Sequence, residues 1–169
     1  MNTPLEPQAI AQLLSEFTQR DSPYELVEQS TPGGIRIPEE DLLEAMGFLY
    51  QAQELFFDQL ACITAVDLGH EEGTVEVIYH LNSIPFGHQV AIYVQVTPPS
   101  KNLLPAIESV AQFWKTADWL ERECYDLVGI QFKNHPDLRR ILLPQDWEGY
   151  PLRKDYQEQE YYHGIKVAY

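Results

Sequence analysis

The chain has 169 residues, of which 44% are hydrophobic, and its formal net charge is −15. This length and apolar content suit one domain with a real core, and the negative charge excludes long-range attraction for nucleic acid. Cys62 and Cys124 give no disulfide framework, and the longest apolar stretches fall far short of the roughly 18 residues that span a bilayer. The start, MNTPLEPQAI, lacks the basic region and apolar run of a signal peptide, so we expect a cytosolic chain.

The N-terminal part predicts helices that alternate with short strands. Apolar residues at helical spacing predict a first helix over residues 7–17. Val27 and residues 33–37 indicate a strand and a turn. Pro38 then begins a second predicted helix, where proline occupies a first-turn position, and this helix ends near residue 53.

The central part predicts a sheet. Residues 56–68 fit both a helical and a strand period, and we expect a short helical turn that leads into a strand ending at Asp67. Strict alternation of apolar and polar residues then predicts two strands, over residues 75–81 and 90–96. Residues 82–88 link them as a hairpin.

A long helical region is predicted next. Residues 103–114 are expected to form a helix that continues, with a bend, into a second stretch ending at Gly129. Apolar side chains spaced four and three apart indicate that second stretch, namely Phe113, Ala117, Leu120, Cys124 and Leu127. The opposite face has mixed charge, which is typical of a solvated surface, and carries Glu121, Arg122, Glu123 and Asp126.

The C-terminal part has little periodicity. Residues 138–143 are compatible with a buried strand, and the prolines and glycine that follow prevent further helix. Aromatic residues are dense beyond this point, at Trp147, Tyr150, Tyr156, Tyr161, Tyr162 and Tyr169. Such residues are enriched in interface anchors. We therefore predict an α+β domain over residues 1–143, with a small, mainly antiparallel sheet and helices on one face, followed by an extended docking tail over residues 144–169.

Three segments carry a resemblance to a known family: ERECYDLVGIQF (121–132), NHPDLRRILLP (134–144) and DWEGYPLRKDY (146–156). Together they form an almost unbroken block, and they resemble the signature of the 30-kilodalton subunit of respiratory complex I, known in bacteria as the C subunit. The short chain and compact tail look most like the cyanobacterial and chloroplast branch, the J subunit of the NAD(P)H dehydrogenase-like complex, or NDH-1.

The resemblance implies a non-catalytic subunit of an enzyme complex. In the family this subunit braces the peripheral arm of a proton-translocating quinone oxidoreductase, beside the quinone-site subunit of 49-kilodalton type and the cluster-bearing subunits. Iron–sulfur clusters and quinone are expected in those partners, and none in this chain. For the photosynthetic branch the resemblance implies ferredoxin as donor, plastoquinone as acceptor, and a peripheral location on the cytoplasmic or stromal side of the thylakoid membrane. Membrane contact is expected only through the complex.

The residues themselves agree with the expectation of no bound cofactor. An iron–sulfur cluster ordinarily needs four closely spaced thiolates, and the chain has two cysteines. The glycine pair Gly33-Gly34 follows Pro32 and fits a turn, and neither a GxGxxG nor a GxxxxGK[ST] phosphate-binding sequence occurs. We expect an isolated chain without colour, flavin or nicotinamide.

Two alternatives to a complex subunit stay open, a free-standing soluble enzyme and an independent adaptor protein. Glu121, Glu123 and Asp126 could supply a general acid and base, although Glu121 and Glu123 point to different helix faces. Cys124 as a nucleophile would need a histidine base, and its place on the apolar stripe favours a buried thiol.

A zinc site is the remaining chemical alternative. His135 and Asp137 flank a proline and would need further ligands brought near by folding, from His80, His88, Cys62 or Cys124. The spacing shows no HxH, HxxxH or CxxC pair, which favours a turn histidine.

Partner contacts are therefore the expected role of the charged and aromatic residues in the signature and tail. Arginine forks match carboxylates, so ion pairing within or between subunits is favoured over phosphate binding. The candidate interface residues are Glu121, Arg122, Glu123, Asp126, His135, Asp137, Arg139, Arg140, Asp146, Trp147, Tyr150, Arg153, Lys154, Asp155, Tyr156, Tyr161 and Tyr162.

Overall fold

The structure is a computed structural model, and it describes residues 3–69, 73–100 and 102–167. The aromatic Tyr169 lies outside these residues. Within them the helices are α1 (Pro7–Phe17), α2 (Leu42–Gln51), which follows a 3₁₀ turn at Glu39–Asp41, and α3 (Ala117–Val128). The strands are β1 (Glu25–Val27), β2 (Gly34–Arg36), β3 (Gln59–Asp67), β4 (Val75–Asn82), β5 (Gln89–Val96), β6 (Ala106–Glu108), β7 (Gln131–Lys133), β8 (Tyr161–Tyr162) and β9 (Ile165–Lys166).

The main sheet has five strands in the order β1-β2-β5-β4-β3. Its neighbouring strands are antiparallel except for the parallel pair β2 and β5. Along β4 the side chains of Val75, Val77, Tyr79 and Leu81 are buried while those between them are partly exposed. The buried face forms one core with the apolar stripes of the three helices. The predicted α+β fold, with a mainly antiparallel sheet and helices on one face, is confirmed.

The predicted helix over residues 103–114 is wrong. This stretch contains β6, which pairs in parallel with β7, and the helix begins only at Ala117. Proline at position 105 has no N–H for a helical ladder, and its carbonyl accepts from Gln131 N at 2.8 Å. Ile107, Val110 and Trp114 are still buried, so their apolar spacing reflects the core and not a helix.

The strand considered over residues 138–143 is also absent from the described structure. This segment is a loop whose backbone N–H groups turn toward α3, as set out below. By contrast, the ambiguous stretch before Asp67 does form a short turn followed by β3, as predicted. Helix α1 also has the predicted limits, and α3 ends before Gly129 as predicted.

Candidate subunit interface

The loop formed by residues 134–156 packs against the C-terminal end of α3. Gly129 ends the helix in the left-handed conformation, with φ of 76°. The Tyr150 ring lies against it, so a Cβ at Gly129 would come within 2.6 Å of a ring carbon. The positive φ and the lack of room for a side chain both require glycine at position 129. Leu152 N also donates to Leu127 O at 2.9 Å, which fixes the loop to the last turn of the helix.

Asp126 is the anchor of this loop. Its side chain is fully buried, and its Oδ2 accepts from the backbone N–H groups of Ile141, Leu142 and Leu143 at 2.9, 2.7 and 2.9 Å. Its Oδ1 accepts from Arg140 Nη1 at 2.7 Å. Burial alone would raise the pKa of Asp126, but these donors more than offset burial and hold the pKa below its ordinary value.

Arg140 extends the same network to the far side of the loop. Its Nη2 donates to Trp147 O at 3.0 Å and to Gly149 O at 2.9 Å. Its guanidinium also lies 5.2 Å from the centre of the Tyr150 ring. One buried ion pair therefore joins α3 to two separate stretches of the loop, and its hydrogen-bonding capacity is used within the chain.

Arg122 and Arg153 bind backbone carbonyls. Arg122 Nε donates to Arg139 O at 3.2 Å, and its guanidinium lies 5.4 Å from the centre of the Trp119 ring. Arg153 Nε donates to Val128 O at 2.7 Å. Neither guanidinium meets a carboxylate in the part of the chain that the structure describes. Both side chains therefore link the loop to α3 through a backbone carbonyl group.

Arg139 differs from Arg140, its neighbour. It pairs with Asp137 at 2.8 Å, and both side chains are more than half exposed. Exposed pairs of this kind contribute little to stability. Arg139 and Asp137 are therefore free to exchange partners on contact with another surface, whereas Arg140 is not.

The face of α3 that was expected to be solvated is largely buried. Glu121 is fully buried, its Oε2 accepts from Ser109 Oγ at 2.6 Å, and its Oε1 accepts from Val110 N at 2.7 Å. Burial raises the pKa of Glu121 to about 7, with the two donors opposing the shift and the Asp118 charge adding to it. Glu123 is exposed, so the two glutamates do point to different faces. The carboxylates at 121, 123 and 126 share no open cleft.

Two hydrogen bonds fix the orientation of the His135 ring. Its side chain is fully buried, and its Nδ1 accepts from Asp137 N at 3.0 Å, so the ring proton lies on Nε2, which donates to Asp118 O at 3.0 Å. Glu121 Oε2 lies 3.8 Å from that Nε2. Both ring nitrogens are thus occupied, and no group of three or more potential metal ligands occurs within residues 3–69, 73–100 and 102–167.

Cys124 lies in the core between α3 and β3. Its thiol donates weakly to Ile63 O at 3.7 Å. Burial, with smaller contributions from Glu123, Cys62 and Glu121, raises the pKa of the thiol to about 12. A nucleophilic cysteine needs a lowered pKa, so this thiol is suited to packing.

The tail folds back on the loop. Asp146 accepts from Tyr162 OH at 2.9 Å and from His163 Nε2 at 2.8 Å, and the Trp147 and Tyr162 rings lie 5.4 Å apart. Tyr161, on the other face of the β8–β9 hairpin, is exposed. The hairpin therefore presents one aromatic side to the loop and another to its surroundings.

Residues 153–156 connect the loop to the main sheet. Lys154 N donates to Asp67 Oδ2 at 2.9 Å, and the Lys154 stem lies against Gly69. The Tyr156 ring packs at Gly149, while Asp155 is exposed. The first part of the predicted tail thus contacts the domain closely.

Three large apolar side chains remain exposed on the segments tied to α3. Trp119, Leu142 and Leu152 are 63%, 62% and 60% exposed, and we call these three residues the docking surface. None of the three is among the interface residues predicted from the sequence. Leu142 was assigned to a possible buried strand, and its exposure follows from the Asp126 hydrogen bond that turns its backbone inward.

A family profile decides the classification. The profile described as "Respiratory-chain NADH dehydrogenase, 30 Kd subunit" matches residues 35–162. The chain belongs to this family. The match covers the main sheet from β2 onward, α3 and the loop.

Named relatives agree with the family. The C subunit of NADH-quinone oxidoreductase from Chloroherpeton thalassium is 48% identical over 130 residues, which are 76% of this chain and 52% of that protein. The protein of the same name from Chlorobium phaeobacteroides is 48% identical over 123 residues, 72% of this chain and 71% of the relative. The C/D subunit from Phocaeicola vulgatus is 44% identical over 124 residues, 73% of this chain and 22% of the longer relative. The chain therefore spans about half of the Chloroherpeton protein.

A solved structure shares the fold. A chain in the structure of the membrane-bound sulfane sulfur reductase, an archaeal respiratory membrane complex, superimposes with a TM-score of 0.68 at 20% identity, over 86% of this chain and 84% of that one. At this identity the likeness concerns the fold alone.

Proposed function

We propose that this chain is a structural subunit of the peripheral arm of a proton-translocating quinone oxidoreductase, and that it has no catalytic residue of its own. The observation that carries the proposal is the loop over residues 134–156, which is held rigid by buried charges and carries exposed apolar side chains. Asp126 and Arg140 bind each other, and both also form hydrogen bonds with backbone groups of the loop. Such an arrangement fixes a surface and leaves no reactive group open to a substrate.

The docking surface supports the proposal by its composition. Exposed apolar side chains close to arginine and tryptophan are typical of interface anchors. Trp119 lies in the first turn of α3, whereas Leu142 and Leu152 lie on loop segments bound near its C-terminal end. The charged residues Glu123, Asp137 and Arg139 are exposed on the same segments. No helix in the described part of the chain is long and apolar enough to cross a membrane. Attachment to a membrane complex would then run through partner subunits.

The partners follow from the same proposal. The family and its named relatives belong to NADH-quinone oxidoreductases, so the neighbours we propose are the quinone-site subunit of 49-kilodalton type and the cluster-bearing subunits. Electron transfer needs fixed distances between centres, and a rigid non-redox subunit holds the carriers in register. Clusters and quinone would be bound by those neighbours.

The narrower part of the proposal concerns the photosynthetic branch. Plastoquinone as acceptor, ferredoxin as donor and a thylakoid location rest on the sequence resemblance alone, and the relatives named above come from other bacterial groups. The test measures oxidation of reduced ferredoxin and of NADH by the purified complex. Each donor is assayed with plastoquinone and with another quinone as acceptor, and the result separates the photosynthetic branch from the other branches of the family. A complex that takes electrons only from NADH would contradict the ferredoxin assignment.

Membranes from a strain that lacks the chain test the main proposal. We expect loss of donor-dependent quinone reduction and its recovery when the wild-type chain is returned. Since the proposal assigns no catalysis to this chain, replacement of the buried carboxyl group Glu121 by Gln should restore the rate fully. Unchanged quinone reduction in the deletion strain would contradict a role in this complex.

A further inference from the structure

The tip of the β4–β5 hairpin presents apolar side chains to its surroundings. Ile84 is 66% exposed, and Pro85 beside it is exposed as well. Phe56, in the turn before β3, is 41% exposed. Ile84 N donates to Asp58 Oδ1 at 2.9 Å, and this hydrogen bond joins the hairpin to that turn. We call Phe56, Ile84 and Pro85 the hairpin tip.

Contacts beneath the hairpin tip hold Ile84 outward. His88 is buried, and its Nδ1 accepts from Leu5 N at 3.0 Å, so its Nε2 carries the ring proton and donates to Glu54 O at 3.2 Å. The Phe86 ring stacks on the His88 ring at a centroid distance of 5.5 Å. The loop therefore packs Phe86 against the domain and leaves Ile84 on the outside.

Phe56 has a strained backbone. Its φ of 36° lies in the left-handed region, which a bulky residue rarely adopts. The neighbouring Phe57 is fully buried in the core, whereas the Phe56 side chain remains exposed. Strain of this kind concentrates at functional positions. An exposed aromatic ring held in this way indicates a contact outside the chain.

The surroundings of the hairpin tip are acidic. Residues 3–6, 54–59 and 82–89 include the exposed acids Glu6, Glu54 and Asp58, and these segments contain no lysine or arginine. An acidic surface repels anionic lipid and attracts a basic protein surface. The complementary surface is an apolar cleft with lysine or arginine at its rim.

The hairpin tip is remote from the part of the docking surface that lies on the loop. Asp58 directly precedes the first residue of β3. Asp67 ends β3 and accepts from Lys154 N, in the loop segment that carries Leu152. A strand of nine residues is roughly 30 Å long. A subunit that holds its neighbours in register needs contacts separated in this way.

We propose that the hairpin tip is a second subunit contact, in which Ile84 and Phe56 enter an apolar cleft of a neighbouring subunit with a basic rim. The inference rests on the proposed function, because it requires a partner subunit. A second copy of this chain does not fit as the occupant, since two chains of net charge −15 repel each other.

Ile84→Ser tests the apolar contact. Because the side chain is mostly exposed, the isolated variant should keep the thermal midpoint of the wild type. In a strain without the wild-type chain, recovery of the intact complex on native gels should fall about tenfold or more. Leu103→Ser is the matched control and should keep assembly, since Leu103 is also exposed and follows β5, which ends opposite the hairpin. An unfolded Ile84→Ser chain would place Ile84 in the core and overturn the inference.

Phe56→Gly separates assembly from stability. Glycine adopts a positive φ without strain, so relief of strain should offset the lost ring contacts and keep the isolated chain about as stable as wild type. Recovery of the complex should nevertheless fall about as much as it does with Ile84→Ser. A Phe56→Gly chain that assembles fully would contradict the contact.

Charge neutralisation tests the basic rim. Glu6→Gln combined with Glu54→Gln should lower recovery of the complex at low salt and reduce its salt dependence. Glu16→Gln combined with Asp21→Asn is the control, because these exposed acids lie at and beyond the far end of α1. Equal recovery of the two double variants would argue against a basic rim.

Vesicles of phosphatidylcholine and anionic phosphatidylglycerol test a lipid surface as the occupant. We expect no cosedimentation of the isolated chain, and binding that Ile84→Ser abolishes would overturn the choice of a protein partner. If Ile84→Ser and Phe56→Gly assemble as well as Leu103→Ser, the contact at the hairpin tip is wrong and the subunit role stands. If the wild-type chain enters no complex, the proposed function fails first, and the inference fails with it.

Discussion

Glu121 shows how one buried carboxyl couples the fold to pH. The native state raises the pKa of this group from 4.5 to about 7, mainly through burial. Between these two values the folded chain keeps a proton that the unfolded chain has released. Stability contributed by the protonated carboxyl is therefore present below pH 4.5 and is lost as the pH rises toward 7.

Glu121→Gln should remove this dependence. A neutral amide keeps an oxygen for Val110 N and avoids the buried charge, so the variant is expected to be more stable than wild type at pH 8, by on the order of 3 kcal/mol at most. At about pH 4, where the carboxyl is protonated in both states, the two proteins should be about equally stable. Urea unfolding at the two pH values measures the difference. Glu123→Gln, on the exposed face of the same helix, is the control and should change neither value. Equal stability of wild type and Glu121→Gln at pH 8 would show that Glu121 is not strained by burial.

Asp126 and Arg140 should behave as one unit. Replacing either by Ala leaves the other charge buried without its partner, and such losses cost about 3–5 kcal/mol. The double replacement is expected to cost clearly less than the sum of the two single ones. Arg139→Ala, at the exposed neighbour, should cost no more than about 1 kcal/mol. Urea unfolding of the four variants measures these differences, and additive losses would argue against the network.

At the scale of secondary structure, the sequence predicts regular elements well and the signature loop poorly. The limits of α1, α2 and the β4–β5 hairpin follow from apolar periods, prolines and glycines near each element. The stretch 103–114 has helical spacing, but pairing with β7 overrides that local preference. Residues 138–143 include an apolar run like that of a strand, yet the N–H groups of residues 141–143 bind one aspartate that lies 15 to 17 positions earlier. Such long-range hydrogen bonds leave no period in the sequence.

Deletion of residues 157–169 tests the role of the tail. The contacts of Tyr150, Arg153 and Lys154 with α3 and β3 are kept by this cut, so we expect a folded domain with near-native circular dichroism. Assembly should weaken by about a hundredfold, as expected for the loss of aromatic anchors worth roughly 2.7 kcal/mol. Native gels from a strain that lacks the full-length chain measure the complex. Normal levels of complex would contradict docking by the tail, and an unfolded fragment would place it in the core.

At the scale of the whole molecule, the residues that face a partner are the hardest to predict. Periodicity identifies a core because burial repeats along each element, but exposure of Leu142 and Leu152 depends on how the loop is anchored. The sequence does indicate the right region, since arginines, aromatics and glycines are dense there. The sequence does not distinguish Arg140, whose hydrogen bonds are made within the chain, from Arg139, which is exposed.

The docking surface can be tested by charge insertion. Leu142→Asp with Leu152→Asp should leave the isolated chain folded, because both side chains are largely exposed, and should prevent assembly by placing charges in an apolar contact. Leu26→Asp is the control, since Leu26 is exposed on β1 at the opposite edge of the sheet from β3. Native gels and thermal unfolding give the two readouts. Full assembly of the double variant would move the interface elsewhere.

Native mass measurement of a gentle membrane extract, captured through a tag on this chain, tests the central claim most directly. We predict a particle far heavier than the 19.5 kDa chain, containing a quinone-reducing subunit and cluster-bearing subunits in equal stoichiometry with it. Recovery of the tagged chain alone, at its own mass, from an extract in which the oxidoreductase remains intact would contradict the account.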